Sequence, residues 1–368
     1  MNETILTWLV FILAFGGMIL IHELGHFIVA RLCKIEVEEF GIGLPTPGAI
    51  TLFTWKGTRF TLNWLPLGGF VRPKGENDPN VEGGLAAASP WKRLAVLSAG
   101  PLMNILAAVV IFTLIFHLAG VPDRQRLLIT EVLVDSPAER AGLQVGDIFV
   151  SGDGQPIRSY EDLRAILDSK NNIPVVFVMD RNGKQMEFIV TPQMNEELGR
   201  VLIGVGLGVP FKRPESWTQT TTLGIATTFY SARSLIALPA QILRGTLAPE
   251  QGRLIGLKGI YDIMSQSVSR DVEASANPAS SSNPYDKPIR TLNLLASLSI
   301  SLGIFNLLPF PALDGGRILF VLPELIFRRR VPHQVENLIH GLGMALLLAL
   351  MIYINIMDFI NPVTITLP

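Results

Sequence analysis

The sequence predicts a polytopic α-helical membrane protein with about four transmembrane helices, a membrane-associated β-loop and one extracytoplasmic α+β domain. The mean hydropathy is +0.40. Only 17% of the residues are charged, whereas soluble domains carry about 25%. The apolar residues are collected into runs close to the roughly 20 residues that a bilayer crossing requires.

Four runs satisfy that length requirement. They cover residues 5–29, 94–119, 292–308 and 338–360. The first run has no basic residues before it and no small-residue cleavage site after it, so we expect it to be retained rather than removed as a signal peptide. The third run is the shortest and ends in Pro309-Phe310-Pro311.

Basic residues predict the orientation of these helices. Lys and Arg are concentrated between the first two spans, and again between the last two, where Arg328-Arg329-Arg330 occurs. Short loops rich in Lys and Arg stay in the cytoplasm. We therefore expect both termini and the long segment 120–290 to lie outside a plasma membrane that the chain crosses several times.

The resulting division of the chain has eight parts. They are a first transmembrane helix (1–34), a cytoplasmic or membrane-associated β-loop (35–91), a second transmembrane helix (92–120), an α+β domain (121–210), an amphipathic segment with a mobile linker (211–290), a third transmembrane helix (291–316), a cytoplasmic loop (317–337), and a fourth transmembrane helix with its tail (338–368).

Local signals justify the elements between the spans. Residues 35–75 are apolar, aromatic and rich in glycine, and Lys56-Gly57 predicts a hairpin turn. In residues 124–192, Ser136-Pro137 and the pair Ser159 and Asp162 predict helix starts, and Asn182-Gly183 predicts a second hairpin. Residues 223–243 are interpreted as a surface helix that lies on the membrane, with a fifth span as the alternative. Residues 271–288 are interpreted as a mobile linker.

His22-Glu23-Leu24-Gly25-His26 is the motif with the clearest chemistry. On a helix, residues four apart share a face, so both imidazoles can reach one metal ion. Glu23 lies beside them and can polarise a metal-bound water. Two structural histidines at a helix end are the alternative, but ionisable groups inside an apolar span indicate function.

A catalytic zinc usually has three protein ligands, and depth in the membrane favours Asp314 as the third. Cys33 is excluded because it lies roughly 10 Å beyond His26 along the helix. His117 is excluded because it lies near the outer end of the second span, whereas His22 and His26 lie in the inner half of the first. His340 remains a weaker alternative for the third ligand. Asn306 is interpreted either as a substrate-binding residue or as a polar contact between helices.

The motif His22-Glu23-x-x-His26, followed far downstream by Asn306-x-x-Pro309-x-Pro311-x-Leu313-Asp314-Gly315-Gly316, resembles the site-2 protease family of intramembrane metalloproteases. Residues 64–71 are similar to the membrane-associated β-loop of that family, and residues 136–147 are similar to the start of a PDZ domain. The chain is most similar to the bacterial branch with PDZ domains between the second and third core spans. It has a single such unit where known relatives have two, so filtering of substrates by a stacked pair is not carried over. Residues 202–205 are a weak candidate for its peptide-binding loop.

The resemblance implies the identity of the site. It implies Zn²⁺ bound by His22, His26 and Asp314, Glu23 as the catalytic base, and Asn306 as a substrate-holding residue. Because the edge of a sheet can add a strand, Gly68 and Gly69 are further candidates for substrate binding.

The implied protein is a zinc metalloendopeptidase of the bacterial inner membrane. Its expected partners are the lipid bilayer, single-span membrane proteins such as anti-sigma factors or remnant signal peptides, and a peptide ligand of the PDZ domain. No nucleic-acid partner is expected at a net charge of −1. The alternatives are a non-catalytic PDZ scaffold with a structural zinc, and a zinc transporter.

Overall fold

The computed structural model describes residues 3–46, 48–76, 78–196, 198–245, 253–276 and 288–362. Two compact units divide the chain. The first comprises Met1–Leu114, Thr221–Arg270 and Arg290–Pro368, and the second comprises Ile115–Thr220 and Asp271–Ile289.

Helices dominate the first unit, and short strands dominate the second. The helices are α1 (Glu3–Leu32), α2 (Pro90–Ala119), α3 (Pro137–Arg140), α4 (Tyr160–Leu167), α5 (Trp217–Leu243), α6 (Leu257–Ala276), α7 (Arg290–Leu307), α8 (Asp314–Phe327) and α9 (His333–Ile360). The strands are β1 (Val37–Leu44), β2 (Ile50–Trp55), β3 (Thr58–Leu62), β4 (Leu65–Pro73), β5 (Val121–Pro122), β6 (Leu127–Val132), β7 (Ile148–Gly152), β8 (Gln155–Pro156), β9 (Val175–Arg181), β10 (Lys184–Val190), β11 (Gln193–Asn195), β12 (Arg200–Leu202), β13 (Val205–Gly208) and β14 (Phe211–Lys212).

Three helices of the described residues are long and apolar enough to cross a membrane. They are Thr4–Leu32, Pro90–Ala119 and His333–Ile360, with hydropathies of 2.4, 2.4 and 2.0. Neither α7, at 18 residues, nor the more polar α5 is among them. A chain with three such helices is a membrane protein, and a count of four spans stays a prediction.

The β-loop forms a four-stranded sheet with the order β2-β3-β1-β4. Strands β1 and β3 are parallel, while β2–β3 and β1–β4 are antiparallel. The predicted turn at Lys56-Gly57 joins β2 to β3, with both residues at positive φ. Inside the sheet, Glu39 is buried and forms ion pairs with Arg59 and Arg72. The face of β1 packs against α1 around Phe27 and Phe40, which fixes the sheet beside that helix.

The α+β domain of the second unit is built on the sheet β10-β9-β7-β6-β13, with β8 paired to β7. Ser136 caps α3, and Ser159 with Asp162 forms the expected capping box of α4. Hydrogen bonds from the backbone N–H groups of Arg158 and Ser159 lower the pKa of the Asp162 carboxyl. Asn182 and Gly183 turn β9 into β10 with positive φ. The weak loop candidate at 202–205 enters β13, which is an edge strand of this sheet.

The structure refines the boundaries near the third span. This span was predicted at 292–308 within the segment 291–316, with Pro309 and Pro311 interrupting the helix; α7 ends at Leu307, and a new helix begins at Asp314. Pro309 and Pro311 explain the break, because proline lacks the N–H that would continue the helix. The expected loop 317–337 is largely helical, since α8 reaches Phe327 and α9 begins at His333. Of the linker predicted at 271–288, residues 271–276 belong to α6, and 277–287 lie outside the described residues.

Candidate metal centre

Two imidazoles and one carboxylate converge inside the first unit. His22 and His26 lie one turn apart on α1, with their Nε2 atoms 3.1 Å from each other. Asp314 opens α8 and places its Oδ2 atom 3.1 Å from Nε2 of His22 and 3.5 Å from Nε2 of His26. The ligand atoms of these three residues all lie within 4.8 Å of one another, so they could hold one metal ion.

Contacts at the two Nδ1 atoms orient both imidazoles so that their Nε2 atoms face the possible metal position. Nδ1 of His26 lies 2.8 Å from the carbonyl oxygen of Val96, so this nitrogen carries the proton and Nε2 keeps its lone pair. Nδ1 of His22 lies 3.2 Å from the side-chain amide of Asn104, whose Oδ1 is buried and lacks a partner among the described residues. Turning the amide over would pair this oxygen with the Nδ1–H of His22, because the two amide orientations are interchangeable. Each histidine then offers Nε2 as the ligand atom, as metal-binding histidines do.

The site also has the chemistry and the space that a divalent ion requires. Oδ2 of Asp314 is buried and makes no hydrogen bond to the described residues, although two imidazole nitrogens lie close to it. Two histidines and one carboxylate are a known ligand set of catalytic zinc. The backbone of α2 forms one wall at Gly100, where an added Cβ would lie 2.3 Å from Nε2 of His26 and 2.8 Å from Nε2 of His22. The described residues therefore fit a zinc ion at this point.

Glu23 lies between the metal-binding residues and the sheet. Its carboxylate is half-buried, interacts electrostatically with His22, His26 and Asp314, and accepts a hydrogen bond from the backbone N–H of Val71 in β4. A carboxylate that lies beside the candidate ligands, but is not among them, is suited to proton transfer rather than to metal binding.

The two predicted glycines of β4 lie against α1 near Glu23. A Cβ on Gly69 would lie 3.6 Å from Cγ of Glu23, and a Cβ on Gly68 would lie 3.8 Å from Cδ1 of Ile19. In its sheet, β4 pairs with β1 on one side only. The edge strand of the β-loop therefore passes directly beside the candidate base.

The other residues considered from the sequence make contacts outside the metal-binding group. The Nδ2 of Asn306 donates a hydrogen bond to Leu302 O within α7, so its role as a substrate-binding residue stays a prediction. His340 accepts a hydrogen bond from the backbone N–H of Ala312 at Nδ1 and is not part of the metal-binding group. His117 stacks on Trp217, and Cys33 packs beside the core around Phe27.

Two residues of α2 that contribute to the site were not predicted from the sequence. Asn104 orients His22, and its own backbone oxygen accepts a hydrogen bond from Ser299 of α7. The signal was available, because an asparagine in the middle of an apolar span is unusual. Gly100 gave no comparable signal, since many glycines occur in this chain.

Comparisons with known proteins agree with this geometry. The sequence profile of peptidase family M50 matches residues 10–350. A Clostridium perfringens protein that is provisionally named a zinc metalloprotease is 34% identical, with 96% of this chain and 98% of that protein covered. A Bartonella henselae protein with the same kind of name is 31% identical over 93% of this chain and 98% of its own. The metalloprotease MmpA of Caulobacter vibrioides is 28% identical, with 91% of each chain covered.

Solved structures match only a small part of the chain. The PDZ domain of an SdrC-like protein from Listeria monocytogenes is 22% identical, covers 22% of this chain and 85% of its own, and has a TM-score of 0.21. A PDZ domain from Listeria innocua is 25% identical, covers 22% of this chain and 91% of its own, and has a TM-score of 0.20. The family match over most of the chain is the decisive finding. The chain belongs to peptidase family M50, the site-2 protease family, and is a zinc metalloprotease.

Proposed function

We propose that this metalloprotease cleaves transmembrane segments of membrane-anchored proteins, inside the bilayer or at its edge. The observation that supports the proposal is the position of the metal-binding histidines. His22 and His26 belong to the 29-residue apolar helix Thr4–Leu32, so a substrate must reach them from the membrane. Single-span proteins in the bilayer are the substrate class that meets this requirement.

The same proposal includes a location and an orientation. The chain crosses the bacterial inner membrane several times, with α7 as a fourth span in addition to α1, α2 and α9. The ends of the chain and the α+β domain lie outside, and Arg328-Arg329-Arg330 lies in the cytoplasm, as the distribution of basic residues favours. The α+β domain acts as a PDZ module that binds a peptide outside the membrane.

Glu23 is assigned the proton transfers of peptide hydrolysis. A zinc ion held by His22, His26 and Asp314 would supply a Lewis acid for the carbonyl group and would lower the pKa of a water molecule toward neutral pH. Glu23 accepts the proton of the attacking water and delivers it to the nitrogen of the leaving amine. His22, His26 and Asp314 fix the position of the reaction, and Asn104 and the Val96 carbonyl keep the imidazoles in the required tautomer.

The substrate must unwind before it can be cut, because a helix hides its carbonyl groups in its own hydrogen bonds. The free edge of β4 offers backbone groups to which an unwound segment can pair as an added strand. Its contact with Glu23 would bring the paired segment to the base. Remnant signal peptides and anti-sigma factors already trimmed outside are substrates of this kind.

The experiment that tests the proposal compares wild type with Glu23→Gln in proteoliposomes that contain zinc and a model single-span peptide. We expect Glu23→Gln to keep its zinc and to lose about 10²- to 10⁴-fold in cleavage rate, the usual contribution of a general base. Glu38→Gln, which changes an exposed carboxylate of β1, serves as the control. Mass spectrometry of the products should place the cut within the apolar segment. Normal cleavage by Glu23→Gln would refute the assigned base, and cuts only in the soluble flanks would refute intramembrane proteolysis.

A further inference from the structure

The turn between α7 and α8 determines where the third metal ligand lies. After α7 ends, Phe310 N–H donates to Leu308 O at 2.7 Å, and Leu313 N–H donates to Phe310 O at 3.2 Å. Between them, Ala312 has a φ of +77°, a left-handed conformation that is unfavourable for a residue with a Cβ. Asp314 follows two residues later, so any relaxation of Ala312 would move the carboxylate.

Helix α9 holds this turn at two points. The backbone N–H of Ala312 donates to Nδ1 of His340 at 2.9 Å. One turn further along α9, Gly343 lies so close to Pro311 that an added Cβ would approach Cβ of Pro311 to 2.3 Å. The ring of His340 also packs against Phe320 of α8, with centroids 5.4 Å apart. The same side chain therefore contacts both the turn and the helix that Asp314 opens.

The chemistry of His340 suits an acceptor rather than a metal ligand. Its Nδ1 lone pair is occupied by the Ala312 N–H, so in the neutral ring the proton is on Nε2. Nε2 is buried and has no hydrogen-bond partner among the residues that the structure describes. An N–H group of a broken helix inside a membrane has no water to bond to, and it needs such an acceptor from a neighbouring helix.

We propose that His340 is a positioning residue of the metal centre. It holds the strained turn at Ala312, so that the carboxylate of Asp314 lies close to His22 and His26. The proposal rests on the assignment of these three residues as zinc ligands, but not on cleavage within the membrane. It assigns α9 an indirect part in metal binding, because this helix supports the turn before Asp314 but contributes no ligand.

The first test measures the zinc affinity of the purified full-length chain by competition with chelators, without any substrate. His340→Leu removes the acceptor, His340→Gln moves it by one bond, and His340→Asn keeps an oxygen near the position of Nδ1. We expect the Leu and Gln variants to bind zinc about 10- to 100-fold more weakly, the usual effect of losing a supporting residue. His340→Asn should stay close to wild type. His333→Leu, a change at the first residue of the same helix, is the control and should bind normally.

The visible spectrum of bound Co²⁺ gives a second readout, because it reports ligand geometry and not fold. It should change in His340→Leu and His340→Gln and be preserved in His340→Asn and His333→Leu. If His340→Leu does not fold, the comparison of the Gln and Asn variants decides alone. Wild-type affinity and spectrum in His340→Gln, or equal losses in the Gln and Asn variants, would overturn the proposal.

A double-mutant cycle shows whether His340 acts through Asp314. In an Asp314→Ala background we expect the two histidines to bind zinc weakly, and removing His340 should then cause no further loss of affinity. An equal loss in both backgrounds would mean a general structural role and would overturn the proposal. Because no arm uses a substrate, failure of intramembrane cleavage would not be confused with failure of this inference.

Discussion

At the scale of single residues, the close contact between Gly100 and the two imidazoles constrains the metal centre. A Cβ at this position would lie 2.3 Å from Nε2 of His26, and the backbone of α2 cannot retreat easily because Val96 and Asn104 of the same helix also contact the histidines. We therefore expect Gly100→Ala to fold but to bind zinc at least about 10-fold more weakly, as when a supporting contact is lost. Metal analysis and chelator competition measure this.

Gly17→Ala is the matched control for that change. Gly17 lies on α1, and an added Cβ would meet nothing within 4 Å. Alanine should even favour the helix slightly. Equal zinc affinity in Gly100→Ala and Gly17→Ala would mean that the metal does not occupy the point between the imidazoles.

The convergence of His22, His26 and Asp314 could be predicted from the sequence, because ionisable side chains are unusual among apolar residues. Ionisable side chains are costly inside a membrane, so two histidines four residues apart in a span, and an aspartate after a proline-interrupted span, indicate a functional site. Of the supporting residues, Asn104 had a signal in the sequence, but Val96 and Gly100 could not be predicted in the same way. The Val96 carbonyl is a backbone group, and the approach of Gly100 depends on how two helices pack.

At the scale of single elements, the proposed role of strand β4 in holding the substrate can be tested directly. If its free edge holds an unwound substrate, a proline at Gly69 should remove a backbone donor and lower kcat/KM roughly 5- to 30-fold. This loss corresponds to one or two backbone hydrogen bonds at about 1 kcal/mol each. Zinc content should not change, because β4 supplies no ligand. Cleavage assays and metal analysis on the same preparation measure both quantities.

A proline at Thr54 in β2 is the control for the strand. Strand β2 forms the opposite edge of the same sheet, so general damage to the sheet would lower activity in both variants. Unimpaired turnover in Gly69→Pro would exclude β4 as the strand that holds the substrate.

Elements with strong local signals were predicted closely, and interrupted ones were not. The capping residues Ser136 and Ser159 and the turn at Asn182-Gly183 act within a few residues, so the sequence contains the whole cause. The end of α7 follows from its prolines in the same way. The restart at Asp314 was not predicted, because it depends on the support that Ala312 receives from His340 on a distant helix.

At the scale of the whole molecule, the proposed orientation makes a simple prediction about accessibility. In a variant with Cys33 replaced by serine, a new cysteine at exposed Met186 of β10 should react with an impermeant maleimide in intact spheroplasts. A cysteine at exposed Arg329 should react only in inside-out vesicles. The physical reason is that arginine clusters stay in the cytoplasm, while long domains can be translocated.

Cysteines at neutral surface positions on each side would verify that the vesicles are sealed. Labelling of both sites from the same face would contradict the proposed orientation and would leave the metal centre itself unaffected. Membrane crossing as such could be predicted from hydropathy alone. The number of spans could not, because α7 is short and the motif that follows it is neither a plain helix nor a plain loop.

The separation of the ligands along the chain has a consequence for biosynthesis. The ribosome makes His22 and His26 early, whereas Asp314 is made near the end of synthesis, and His340 of the supporting helix is made later still. A nascent or truncated chain therefore carries the imidazole pair into the bilayer without its carboxylate partner. On the proposed ligand assignment, the protease therefore cannot cleave neighbouring polypeptides until its own translation is almost finished.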